Sequence, residues 1–229
     1  MSITTSTLTR AAGLAAVAAG LLFITVQINH PQLDADFVTT TEWHVRQSMK
    51  VLMAVLALAG ITGMYLRQVR QIGVLGLVGY LVAAGGYLVI MCSEVIGLVV
   101  LPAIAHSTPG YVNDILAIAT GGSPTGDVGS FMTLNLLGAF GYVVGGLLFG
   151  IALYRANVLA RWASVLLAVS TVATLAIPLL PQVNQRLFAI PDGIALVALG
   201  YSLWRDQRTS TGPATLAPVG AQLDAAGAR

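Results

Sequence analysis

The sequence predicts an all-α fold, a polytopic membrane protein built as a bundle of six transmembrane helices with both termini on the cytoplasmic side. Three observations predict it. First, the 229 residues are 56% hydrophobic and only 9% charged, with mean hydropathy +0.83, whereas a soluble domain carries about 25% charged residues. Second, the chain holds repeated apolar runs near the ~20 residues that cross a bilayer. They run without the alternation of a barrel strand, so each is expected to be a helix that satisfies its own backbone. Third, six spans that alternate in direction collect Arg10, Arg67, Arg70, Arg155, Arg161, Arg205 and Arg208 on one side. Only Arg46, Lys50 and Arg186 fall on the other, and an arginine excess marks the cytoplasmic face.

The first span is expected over 8–28. Arg10 before an apolar run resembles the start of a secretion signal, but the run is long and ends in "TVQINHP" without a small-residue cleavage pattern, so it is read as a retained helix. The second span covers 42–66 and opens with "TTTEWHVRQSMK", in which Thr39 and Glu42 have capping-box spacing. The third covers 72–101, the fourth 131–154, the fifth 159–180 and the sixth 187–204. Together they make one domain over 1–205. The Ala-, Gly-, Thr- and Pro-rich tail 206–229 has no run able to pack and is expected to be disordered. Two long loops, 29–41 and 102–130, face outward with Asp34, Asp36, Asp114 and Asp127. The second contains the short amphipathic stretch "YVNDILAIA" and the turn "GGSPTG". Trp43, Trp162 and Trp204 lie near span ends, where interfacial anchors are expected.

Glu94 interrupts the apolar "YLVIMCSEVIGLVVL" (87–101), and a carboxylate in hydrocarbon needs a partner or a route to water. On a helix it continues the stripe Gly76, Gly79, Ala83, Gly86, Ile90, Glu94 and Gly97. Such small-residue stripes mark contact between membrane helices. Glu94 is therefore expected to face the bundle. It lies 24 residues beyond Arg70, about 36 Å along a helix, which places it near the outer mouth.

Other polar residues are expected at the same level. His44, Arg46, Gln47 and Lys50 lie on the outer turns of the second span, and Asn135 on the first turns of the fourth. Tyr80, Tyr87 and Tyr142 lie deeper and are able to line a cavity. In "RLFAIPDGIAL", Pro191 and Asp192 suit a first helical turn, with Asp192 favouring the positive end of the helix dipole. If the helix starts instead at Arg186, Pro191 kinks it and Asp192 lies at a broken helix of the kind that lines transporter sites. The expected ligand-binding set is Glu94, His44, Arg46, Lys50, Asn135, Tyr142 and Asp192.

His30, His44 and His106 share the outer side but carry no metal-binding spacing, and no metal or cofactor is expected. The one cysteine, Cys92, excludes an internal disulfide. The one lysine, Lys50, excludes a retinal Schiff base in the last span. There is no room for a soluble nucleotide-binding domain and no nucleic-acid partner is expected.

The stretches "FGIALYRANVLARWASVLLA" (149–168), "AIPDGIALVALGYSLW" (189–204) and "EVIGLVVLPAIA" (94–105) resemble a loose group of small bacterial multi-pass membrane proteins of unknown function. The resemblance implies a bacterial inner-membrane setting and no catalytic assignment.

Three functions follow as expectations. The first is a protein that binds or transports a small amphipathic or lipid-like molecule in an outward-facing polar pocket. The second is a structural or regulatory subunit whose glycine-rich faces bind another membrane protein or a second copy. The third is an intramembrane enzyme with Glu94 or Asp192 as acid or base and His44 as proton partner. Membrane lipids are partners in all three.

Overall fold

The computed structural model describes residues 4–179, 187 and 189–209. They form α1 (Thr5–Thr25), α2 (Thr41–Arg67), α3 (Gly73–Ile104), α4 (Pro109–Ala119), α5 (Phe131–Ala156), α6 (Arg161–Ala173) and α7 (Ala189–Thr209). Short 3₁₀ segments lie at Phe37–Thr39 and Thr174–Leu179. The expected course of residues 180–186 and 210–229, including Arg186 and most of the tail, lies outside the described residues.

The all-α class and a multi-pass membrane protein agree with expectation, but the six-span count does not. Among the described residues, four helices, α1, α2, α3 and α5, are long and apolar enough to cross a membrane by length and composition. The physical reason lies in the last two. The α-helical part of α6 is 13 residues, about 20 Å, before the chain tightens into the 3₁₀ turn. The 21 residues of α7 include Asp192 near one end and Arg205, Asp206 and Arg208 near the other, so no full apolar window fits. α7 runs on to Thr209, and Asp206 pairs with Arg67 at 2.6 Å.

Neighbouring helices pack in the closed order α1, α2, α3, α5, α6, α7 and back to α1. Each neighbouring pair is antiparallel, and glycine sets the closest approaches. A Cβ on Gly86 of α3 would lie 2.5 Å from the Gly141 carbonyl carbon of α5, and Gly20 of α1 lies against the Gly193 carbonyl of α7. The small-residue stripe of α3 therefore faces inward, buried from Gly76 through Gly79, Ala83 and Gly86 to Gly97. The α5 glycines Gly138, Gly141, Gly145, Gly146 and Gly150 are buried as well. Side chains from all six helices, among them Ala57, Tyr87, Phe149, Leu167 and Leu199, fill the ring.

The amphipathic stretch of the second long loop becomes α4. Val112, Ile115, Leu116 and Ile118 turn inward and join Val38, Trp43, Leu101 and Ala105 in a second core that caps the loop end of the ring. Asp114 fastens the "GGSPTG" turn to α4. Its carboxylate accepts from the Thr125 backbone N–H (2.8 Å), the Thr125 hydroxyl (2.9 Å) and the Gly126 N–H (2.9 Å).

Two local expectations change. The cap of α2 is Thr40, whose hydroxyl accepts from the Trp43 N–H, and not Thr39. Trp43 is not a lipid-facing anchor. It is buried, and its indole N–H donates to the Gly97 carbonyl at 2.9 Å.

Candidate functional site at half-height

The helix registers give the depth of each polar residue. At the arginine-bearing end, the Ala160 N–H donates to the Ser202 hydroxyl (3.1 Å). Ten residues further along α6 and ten residues back along α7, the Ser170 hydroxyl donates to Oδ1 of Asp192 (2.8 Å). Asp192 thus lies about 15 Å from that end of the bundle. The pairings Gly20–Gly193 and Ala16–Gly60 carry the same level to about Val55, the middle of α2. Tyr142 beside Gly86 brings α3 and α5 to it too. Asp192 stands at the half-height of the ring, at the start of α7 and beside the last turns of α6.

Asp192 is 0% exposed. Besides Ser170 it accepts from the Tyr142 hydroxyl of α5, with 2.6 Å to Oδ2. The Tyr87 ring of α3 meets the Tyr142 ring edge-on at 6.0 Å. Among the described residues no cation pairs with Asp192. Pro191 and Asp192 do occupy the first turn of α7, as one of the two sequence alternatives has it. The carboxylate, however, is turned into the ring towards two hydroxyls, so capping alone does not account for it. A carboxyl group can accept several hydrogen bonds, and two come from the described residues. An acid buried inside a membrane protein is rare, which makes Asp192 a candidate site residue.

A second polar cluster lies loopward. Glu94 on α3 pairs with residues of α2. The Gln47 amide Nε2 donates to Glu94 Oε2 (2.7 Å), and Lys50 Nζ stands 3.6 Å from the same oxygen. Glu94 is eight residues beyond Gly86, so this cluster is about 12 Å loopward of Asp192. Its side chains are partly open, 22% for Glu94 and 17% for Lys50. Gln47 is 2% exposed, and its Oε1 has no hydrogen-bond partner among the described residues.

The seven sequence-predicted residues therefore divide. Lys50 joins Glu94, and Tyr142 joins Asp192. Arg46 goes elsewhere: it pairs with Glu42 at 2.7 Å and donates to the carbonyls of Val26, Ile28 and Asn29, the unpaired end of α1. His44 is exposed, with Nδ1 2.9 Å from the Thr40 carbonyl oxygen. Asn135 is half-buried on the first turns of α5 and has no side-chain bond to either cluster. The three histidines do not converge, and no group of three potential metal ligands occurs among the described residues.

Ser170, Tyr87 and Gln47 complete the clusters but were not in the predicted set. Tyr87 and Ser170 are polar side chains inside apolar runs, which is the signal that singled out Glu94, whereas Gln47 lies in the polar opening stretch of α2. A cavity of about 270 Å³ lies in the cap, between Pro31–Leu33 and Asn113, Leu116 and Thr120. It does not reach either acid.

No family model, no curated protein and no solved structure matches this chain, so no family is identified and the geometry alone bears on function.

Proposed function

We propose that this multi-pass membrane protein, set in a bacterial inner membrane with its arginine-rich end cytoplasmic, binds a small amphipathic molecule at half-height. The group it reads is a positive charge on that molecule. The observation that supports this is Asp192: fully buried, held by two hydroxyls and opposed by no cation among the described residues. A ligand ammonium supplies the missing charge and uses the free acceptor positions. The Tyr87 and Tyr142 rings beside it suit a cation flanked by apolar groups. The end of α6 in a 3₁₀ turn and the start of α7 at this level resemble the discontinuous helices that form midplane sites in transporters.

The glycine faces lend no support to a docking subunit, because α1, α2, α3, α5, α6 and α7 consume them in their own contacts. His44 is out of place as a proton partner for either acid. The test is a thermal-stability screen of the purified protein with lipophilic cations, such as tetraphenylphosphonium and long-chain alkylammoniums, against neutral molecules of the same shape. The cations should stabilise it selectively. Equal responses to cations and neutral analogues count against the proposal.

A further inference from the structure

Asp192 is 0% exposed, and the Glu94 cluster lies about 12 Å loopward of it. Glu94 and Tyr87 are seven residues apart on α3, within about 20° of the same face, and Tyr87 packs on the tyrosine that holds Asp192. Glu94 therefore lies loopward of Tyr87 on one face of α3, and the Tyr87 ring meets that of Tyr142, which holds Asp192. Glu94 binds α2 through Gln47 and Lys50, with the Trp43–Gly97 bond one turn further out. Glu94 and Lys50 are partly exposed, whereas Asp192 is not.

Gln47 adds an independent observation. Its Oε1 is buried with no hydrogen-bond partner among the described residues, while Nε2 is engaged. The closed arrangement leaves a polar atom unsatisfied, and a half-satisfied buried network is poorly rigidified. Parting α2 from α3 would give that oxygen water and rehydrate both charges.

We propose that Gln47, Lys50 and Glu94 form a gate between α2 and α3 that controls passage from the loop end to Asp192. The proposal rests on Asp192 being the binding acid. A partner-less Lys50 or Glu94 no longer holds the helices together, and the open form gains population.

The test is the rate at which a water-soluble carbodiimide, added from the loop side, modifies Asp192 in the full-length protein, read peptide by peptide by mass spectrometry. Lys50→Met and Glu94→Gln should each raise the rate, by about tenfold if the open population rises from a minor to a comparable fraction. The charge-exchanged pair Lys50→Glu with Glu94→Lys should bring it back towards wild type. Arg67→Met, which breaks the Arg67–Asp206 pair at the other end, should leave it unchanged. Melting temperatures of all variants separate gating from unfolding. Unaltered rates in both single variants, or an equal rise in Arg67→Met, overturn the gate. The cation screen does not use this chemistry, so failure of the gate and failure of the Asp192 assignment remain distinct.

Discussion

The Tyr142 hydroxyl on α5 donates to Asp192 on α7 across 2.6 Å, joining two helices that are not neighbours in the ring. α6 stands between them and supplies the second donor, Ser170. One carboxylate thus ties three helices at half-height, and each donor is worth more than a surface hydrogen bond because no water replaces it.

Tyr142→Phe should therefore cost about 1–3 kcal/mol, the penalty for leaving a buried acceptor without its donor. Denaturant unfolding in detergent reads it. Ser170→Ala should cost a similar amount, and the double variant should depart from additivity because both donors serve one acid. Two neutral single variants would mean that the acid is not held in this way.

Packing gives a sharper contrast. Gly145→Leu places side-chain atoms against the Ala83 backbone of α3, and overpacking of this kind costs about 1–3 kcal/mol or more. Gly85→Leu, one residue from the buried Gly86, meets open space and should leave melting unchanged. Equal effects from the two would show that α3 presents a different face to α5.

The cap is expected to respond to acid. Hydrogen bonding from the Thr125 N–H, aided by the Thr125 hydroxyl and the Gly126 N–H and opposed by desolvation, holds the Asp114 carboxyl below its ordinary range. A depressed folded-state value means that the contribution is present above the unfolded pKa of about 4 and is lost as pH falls through the folded one. Protease cleavage between residues 120 and 129 should rise below that range in wild type. It should be high at every pH in Asp114→Ala. A wild-type profile flat into strong acid would contradict the latch.

Much of this architecture was legible in the residues. The apolar runs give the class, and the α3 glycines give the inward face on which Glu94 lies. The six-span count went wrong because a hydropathy window does not register that α6 leaves the α-helical form after Ala173. It also does not show that Arg205, Asp206 and Arg208 belong to the same helix as Asp192. The site was half legible. An acid in an apolar run is visible, but its partners depend on registers between helices. Arg46 sits one residue before Gln47 and faces the end of α1, while Gln47 and Lys50 face α3. A shift of one residue is about 100° around a helix, which decides between capping carbonyls and holding Glu94.

The central claim is that Asp192 awaits a positive charge. Equilibrium titration with tetraphenylphosphonium, wild type against Asp192→Asn, tests it most directly, since the amide keeps the shape of the side chain and removes the charge. Binding to the variant should be weaker by about tenfold or more, the equivalent of at least about 1.4 kcal/mol, with its melting temperature close to wild type. Equal affinity in the two proteins would contradict the account.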